Sequence, residues 1–95
     1  MGLVFEWDRR KARANERKHG VTFEEASSVF GDPLSITIRD ELHSAEGDER
    51  LVTIGVSTTM RTVVVVHSEC GDRIRIISAR KATRRERMVY GQGDE

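Results

Sequence analysis

The sequence has one cysteine, Cys70, one proline, Pro33, and no apolar run longer than the four valines 63–66. A lone cysteine closes no internal disulfide, and with three widely spaced histidines it makes no ligand set of recognisable metal spacing. Four apolar residues fall far short of the roughly 20 that span a bilayer, and the amino terminus has no basic-then-apolar leader. The expectation is a soluble cytoplasmic protein with no membrane partner. Net charge is lacking too: 16 Lys and Arg balance 16 Asp and Glu, which removes an overall positive field as a route to nucleic acid. Glycine-rich phosphate loops, paired-carboxylate metal sites and nucleophile motifs are also missing, so neither metal nor cofactor is expected. With 95 residues there is room for one domain, taken as 1–95.

The charges that are present are unevenly spread. Residues 9–18 carry Arg9, Arg10, Lys11, Arg13, Arg17 and Lys18 against Glu16, and residues 73–87 carry Arg73, Arg75, Arg80, Lys81, Arg84, Arg85 and Arg87 against Glu86. The acids lie mostly between, from Glu24 to Glu49. Two readings stay open. The basic segments converge into a groove for phosphate, or they are ordinary solvated helix faces.

Local signals order the chain. Leu3–Trp7 is apolar enough for a short strand, Asp8 is a helix cap, and Gly20 ends a helix spanning about Arg9 to His19. Thr22 and Glu25 have capping-box spacing and open a second helix through Phe30, stopped by Asp32-Pro33. Alternation at Ile36 and Ile38 predicts a strand. An acidic loop follows from Asp40 to Glu49, in which His43 makes local contacts. Strands at about Arg50–Ser57, Arg61–His67 and Arg73–Ser78 form an antiparallel meander, and Thr83 to Glu86 is a further capping box that starts a carboxy-terminal helix. The fold class is α+β.

Three-residue turns pairing Ser57 with Arg61 and Glu69 with Arg73 place Val52, Ile54, Val56, Val64, Val66, Ile74 and Ile76 on one face, the expected core. The reverse face then gathers Arg61, His67, Glu69, Arg73 and Arg75, with Ser57 and Thr53. Such a set suits RNA cleavage without a metal. The 2′-hydroxyl of RNA attacks its own phosphate if one group takes the proton, cations neutralise the phosphorane and an acid protonates the leaving oxygen. His67 or Glu69 fits the base or acid role, and Arg61, Arg75 and Arg80 fit bidentate phosphate clamps. Each has a structural alternative. Glu69 with Arg73 reads equally as a surface ion pair, Lys18-His19 as helix-dipole capping, and Trp7 as a core plug.

The ordered motifs go further. Phe5-Glu6-Trp7-Asp8, Lys11, Asn15, Lys18-His19-Gly20-Val21, Phe23-Glu24-Glu25-Ala26, Asp32-Pro33, His43-Ser44, Glu49-Arg50, Ile54-Gly55, Ser57, the run Arg73-Ile74-Arg75-Ile76-Ile77-Ser78-Ala79-Arg80, and Thr83 with Glu86-Arg87 and Tyr90 together resemble the BrnT family of toxins. The resemblance implies a RelE-like fold, in which two amino-terminal helices and one carboxy-terminal helix pack an antiparallel meander. It implies a metal-independent endoribonuclease of a type II toxin–antitoxin pair that arrests translation and growth. A cognate BrnA-like antitoxin neutralises it, and operator DNA is bound only through the antitoxin complex. The expected catalytic residues are Arg61, His67, Glu69, Arg75 and Arg80; those expected to hold RNA are Lys18, His19, Ser57, Arg73 and Lys81. The competing functions are a catalytically inactive interaction module and a nucleic-acid-binding regulator.

Overall fold

Helix capping follows the sequence closely. In the structure, a computed structural model that describes residues 2–42, 44 and 49–91, helix α1 runs Arg9–His19. Asp8 Oδ1 accepts from the backbone N–H of Arg10 (2.8 Å) and Lys11 (3.1 Å). Gly20 closes the helix at φ 72°, a left-handed conformation that glycine adopts without Cβ strain. The loop reading for His43 lies outside the described residues.

Helix α2, Phe23–Ser28, is capped by Thr22 Oγ1, which accepts from Glu25 N at 3.0 Å, and it tightens into a 3-10 turn, Val29–Gly31. The expected capping box is only half made, because the Glu25 carboxylate turns away to Arg61. Helix α3, Arg84–Tyr90, has both halves of its box, with Glu86 reaching back to Thr83 N at 2.8 Å.

The sheet has the order β1-β5-β4-β3-β2, with strands β1 Val4–Glu6, β2 Ile36–Arg39, β3 Leu51–Val56, β4 Thr62–Cys70 and β5 Arg73–Lys81. Strands β2 to β5 form the antiparallel meander, and β1 adds a parallel edge beside Arg73–Arg75 of β5. That pairing ends early. Further along β5, Asn15 of α1 takes the place of a strand neighbour: its amide donates to Ala79 O (2.8 Å) and Val21 O (2.9 Å), and its carbonyl accepts from Ala79 N (3.0 Å). A buried backbone edge is thereby satisfied.

Helices α1 and α2 pack on one sheet face, where Val21, Phe23, Ala26, Val29, Val63, Val65, Ile74, Ile76 and Ala79 make the core. Burying each larger apolar side chain there contributes about 1.5–3 kcal/mol. The expected core face is corrected on this point. Ile74 and Ile76 are buried beneath the helices, but Val52, Ile54, Val56, Val64 and Val66 belong to the opposite face. The helix face is instead lined by Thr53 and Gly55 of β3 and by Ser57 just beyond it, all buried. Small residues are needed there, since a Cβ on Gly55 would stand 2.9 Å from both Ser35 Cβ and Val29 Cγ1.

The β3–β4 register agrees with the expected one, with Val56 opposite Thr62. The β4–β5 register does not. Cys70 pairs with Arg73, through a two-residue turn with Gly71 at φ 62°, and a bulge at Val66/His67 shifts the ladder by one residue. Glu69 therefore pairs with Ile74, and Arg75 with Ser68. Helix α3 lies over the second face, where Arg85, Glu86 and Val89 oppose Ile36, Ile38, Val52, Ile54 and Val64. The Tyr90 hydroxyl donates to Asp32 Oδ2, which also accepts from Val56 N at 2.8 Å.

Candidate functional site

Because paired residues share a face, the bulge and the register separate the basic side chains that the sequence reading had grouped. Arg73 and Arg75 lie at the start of β5, where Glu6 Oε1 takes Arg73 Nη1 at 2.9 Å and Glu6 Oε2 lies 3.6 Å from Arg75 Nη1. Eight residues at about 3.3 Å each put Arg73 roughly 26 Å from Lys81 at the strand's other end. The two ends cannot hold one phosphate. The expected Glu69–Arg73 pair is absent among the described residues, since the two-residue turn sets Arg73 beside Cys70 and leaves it to Glu6.

His67 is corrected most sharply. It is fully buried on the helix face, not exposed beside Arg75. Nε2 is 2.7 Å from Thr53 Oγ1, which is 2.7 Å from Thr37 Oγ1, and the ring stands edge-on to Phe30 at 4.8 Å. Burial holds its pKa down to about 4, so the ring is neutral at pH 7. Nδ1 lies 3.5 Å from Glu69 Oε2 but makes no hydrogen bond. A substrate in solvent does not meet this imidazole.

At the other end of the sheet, three cations converge. An open pocket is lined by Met60, Arg61, Thr62, Lys81, Ala82 and Arg87. Its walls are built by the β3–β4 turn, the end of β5 and the first turns of α3. Ala82 N donates to Thr62 O (2.9 Å), extending the β4–β5 ladder into the pocket floor, and Arg87 Nη1 donates to Ala82 O (3.2 Å). Met60 holds the left-handed corner of the turn at φ 65° and is exposed.

Arg61 is fixed on one side by Glu25. Its Nε donates to Glu25 Oε2 (3.0 Å), and its Nη2 donates both to Glu25 Oε1 (2.5 Å) and to Gly20 O (2.9 Å). Ser57 Oγ (2.7 Å) and Thr59 Oγ1 (2.6 Å) also donate to Glu25 Oε2. These donors, Arg61 first, hold the Glu25 carboxyl down to about pKa 2, and Arg61 is raised in return. The bond to Gly20 O brings the carboxy terminus of α1 here, so His19 and Lys18 stand one and two residues from an Arg61 contact. Lys18 is exposed and His19 half-buried. Ser57 is buried as a ligand of Glu25 and does not line the pocket.

Arg80 pairs across from Val64, on the opposite sheet face from Lys81. Both its terminal nitrogens donate to the Glu86 carboxylate at 2.7 Å. This fork holds Glu86 down to about pKa 2 and ties β5 to the first turn of α3. Its visible role is to set the helix that carries Arg87.

Of the expected residues, then, the structure brings Arg61, Lys81, Lys18 and His19 to one end and leaves Glu69, Arg73 and Arg75 at the other. Arg87, Glu25 and Glu86 were not among them. Capping spacing marks Glu25 and Glu86, but nothing in the sequence sets the rotation of α3 that brings Arg87 to the pocket lined by Lys81. Among the described residues no three His, Cys, Asp or Glu side chains gather as a metal site, and no helix is long and apolar enough to cross a membrane.

A family model described as the ribonuclease toxin BrnT of type II toxin–antitoxin systems matches residues 7–86. Among solved structures, the crystal structure of the Brucella abortus ribonuclease toxin BrnT is similar in fold. It aligns with a TM-score of 0.64 over 87% of this chain and 97% of that one, at 23% identity. No curated protein matches the sequence.

Proposed function

Since the chain belongs to the BrnT family of ribonuclease toxins of type II toxin–antitoxin systems, we propose that it cleaves RNA at the pocket between Arg61, Lys81 and Arg87. The convergence of these three cations on one open site beside the end of α1 carries this reading. A scissile phosphate seated there meets cations from three separate elements, of which Arg61 and Arg87 are already held by protein acceptors before the substrate arrives. Preorganised charge of this kind stabilises a phosphorane more than it stabilises the ground-state phosphodiester. The 2′-hydroxyl attacks phosphorus, the bond to the 5′-oxygen breaks, and the products are a 2′,3′-cyclic phosphate and a 5′-hydroxyl. The guanidinium and ammonium groups supply the positive charge, so the reaction proceeds without a metal. Lys18 guides the strand toward the pocket. Of the two histidines among the described residues, His19 ends α1 beside the Arg61 contact and serves the proton transfers, in the role that the buried His67 does not fill.

The family's antitoxin partner neutralises the activity, and operator DNA is reached through the complex. The cytoplasm, where RNA is met, is the place of action. We assign the fold to the RelE-like group on its two amino-terminal helices, its meander and its carboxy-terminal helix.

A second reading has one observation in its favour: Arg61 is already paired with a carboxylate and Arg80 with another. On that reading the chain keeps the fold and binds its partner without catalysis. Incubating the purified chain with RNA in EDTA separates the two. Cleavage leaving cyclic phosphate ends is the expected outcome, and intact RNA alongside a tight antitoxin complex selects the inactive module.

A further inference from the structure

We infer that the antitoxin docks on the apolar sheet face beside α3, adding an extended segment to β2 whose apolar side chains fill the groove and whose acidic side chains meet Arg85. The inference rests on the family reading for the existence of that partner, but its location comes from this chain's own surface. Ile36, Ile38, Val52, Ile54, Val64 and Val89 form the apolar floor of an open groove bordered by Arg85 and by Glu86, whose carboxylate is taken up by Arg80. Ile38 is 62% and Val89 75% exposed. Contiguous apolar surface left open in this way marks an interaction site more often than chance.

Among the described residues, the groove adjoins an open backbone edge. Asp40 N bonds to Arg50 O, and the β2–β3 register pairs Ile38 with Val52 and Ile36 with Ile54. In an antiparallel ladder, bonded pairs alternate, so Thr37 and Arg39 turn their N–H and C=O groups outward from the last strand of the sheet. Ile36 and Ile38 present side chains to the groove at the two-residue spacing of a strand. An added strand therefore gains main-chain bonds at the edge and side-chain burial on the floor in the same register.

Charge selects among the occupants. Arg84 and Arg85 make no ion pair among the described residues, and Arg85 borders the groove, where the apolar floor strengthens its field. A second copy pairing β2 with β2 about a two-fold axis places both α3 helices on one face, each bringing Arg84, Arg85 and Arg87, and like charges oppose that arrangement. Residues 92–95 of the chain itself read Gln-Gly-Asp-Glu and have no apolar side chain to offer. An acidic, alternately apolar segment of a different protein satisfies floor, edge and rim together. It also lies against α3, whose Arg87 lines the cationic pocket, so the docking site adjoins the helix that shapes the active end.

The test measures binding of the full chain to the antitoxin encoded by its neighbouring gene, using Ile38→Asp, Val89→Asp and Arg85→Glu, with Arg13→Glu on α1 as control. Circular dichroism and thermal unfolding establish that each variant is folded, as expected for exposed positions. Ile38→Asp and Val89→Asp are expected to weaken binding at least about tenfold. Arg85→Glu should weaken it and flatten its salt dependence, and Arg13→Glu should bind as the parent does. Folded Ile38→Asp and Val89→Asp variants with parental affinity overturn the inference. So does a dimer of the free chain that Ile38→Asp disperses. RNA cleavage by the unmodified chain is read separately. A chain that does not cleave RNA but loses the antitoxin on Ile38→Asp refutes the catalytic proposal and supports the docking surface.

Discussion

Replacing His67 with Gln separates a sealed imidazole from a catalytic one. In the folded chain burial holds the His67 pKa down to about 4, against roughly 6.5 in an unfolded chain. A depressed pKa means that the unfolded state binds the proton more readily between these values. The contribution to stability is therefore complete above pH 6.5 and is lost as the pH falls toward 4. Linkage puts the loss at about 1 kcal/mol at pH 5.5 and about 3 kcal/mol at pH 4. Glu25 and Glu86, both held down to about pKa 2, add their own acid sensitivity, which the variant shares. The assay is urea unfolding of wild type and His67→Gln at intervals from pH 7.5 to 4. The difference in unfolding free energy between the two should shift against wild type by those amounts as pH falls. A difference that stays constant across the range refutes the buried, neutral histidine and returns His67 to the candidates for proton transfer.

Two further substitutions test the packing that positions the site. Gly55→Ala places a methyl 2.9 Å from Ser35 Cβ and Val29 Cγ1 and should destabilise the chain by about 1–3 kcal/mol in urea unfolding; an unchanged midpoint contradicts the close approach. Asn15→Ala leaves the N–H and C=O of Ala79 without their side-chain partner and should cost about 2–4 kcal/mol, with faster amide exchange at Ala79 than in wild type.

The elements were far easier to read from the sequence than the faces they present. Asp8 and Gly20 marked both ends of α1, and Thr83 with Glu86 marked the start of α3, because caps act within one turn of chain. The Ser57–Arg61 turn fixed the β3–β4 register for the same reason. The valines 63–66 offered no polar residue to tell one face of β4 from the other. Apolar alternation on β3 favoured Val52, Ile54 and Val56 for the core, whereas close helix packing required Thr53, Gly55 and Ser57 there. That exchange carried His67 inside, and the shifted β4–β5 register parted Arg61 from Arg75. The bulge at Val66/His67 and the parallel β1 depend on contacts distant in sequence, and so does the orientation of Arg87. At the proposed functional end, the sequence names Arg61, Lys81, Lys18 and His19; their grouping comes only with the fold.

The most direct test of the central claim compares RNA cleavage in EDTA by wild type, Lys81→Ala, Arg87→Ala and Arg75→Ala, each verified as folded. Loss of a preorganised charge contact should lower the cleavage rate of Lys81→Ala and Arg87→Ala by about 100-fold, while Arg75→Ala, at the far end of β5, should remain within a few-fold of wild type. Full activity in Lys81→Ala and Arg87→Ala, or a loss confined to Arg75→Ala, would contradict a reaction centred on the Arg61, Lys81 and Arg87 pocket.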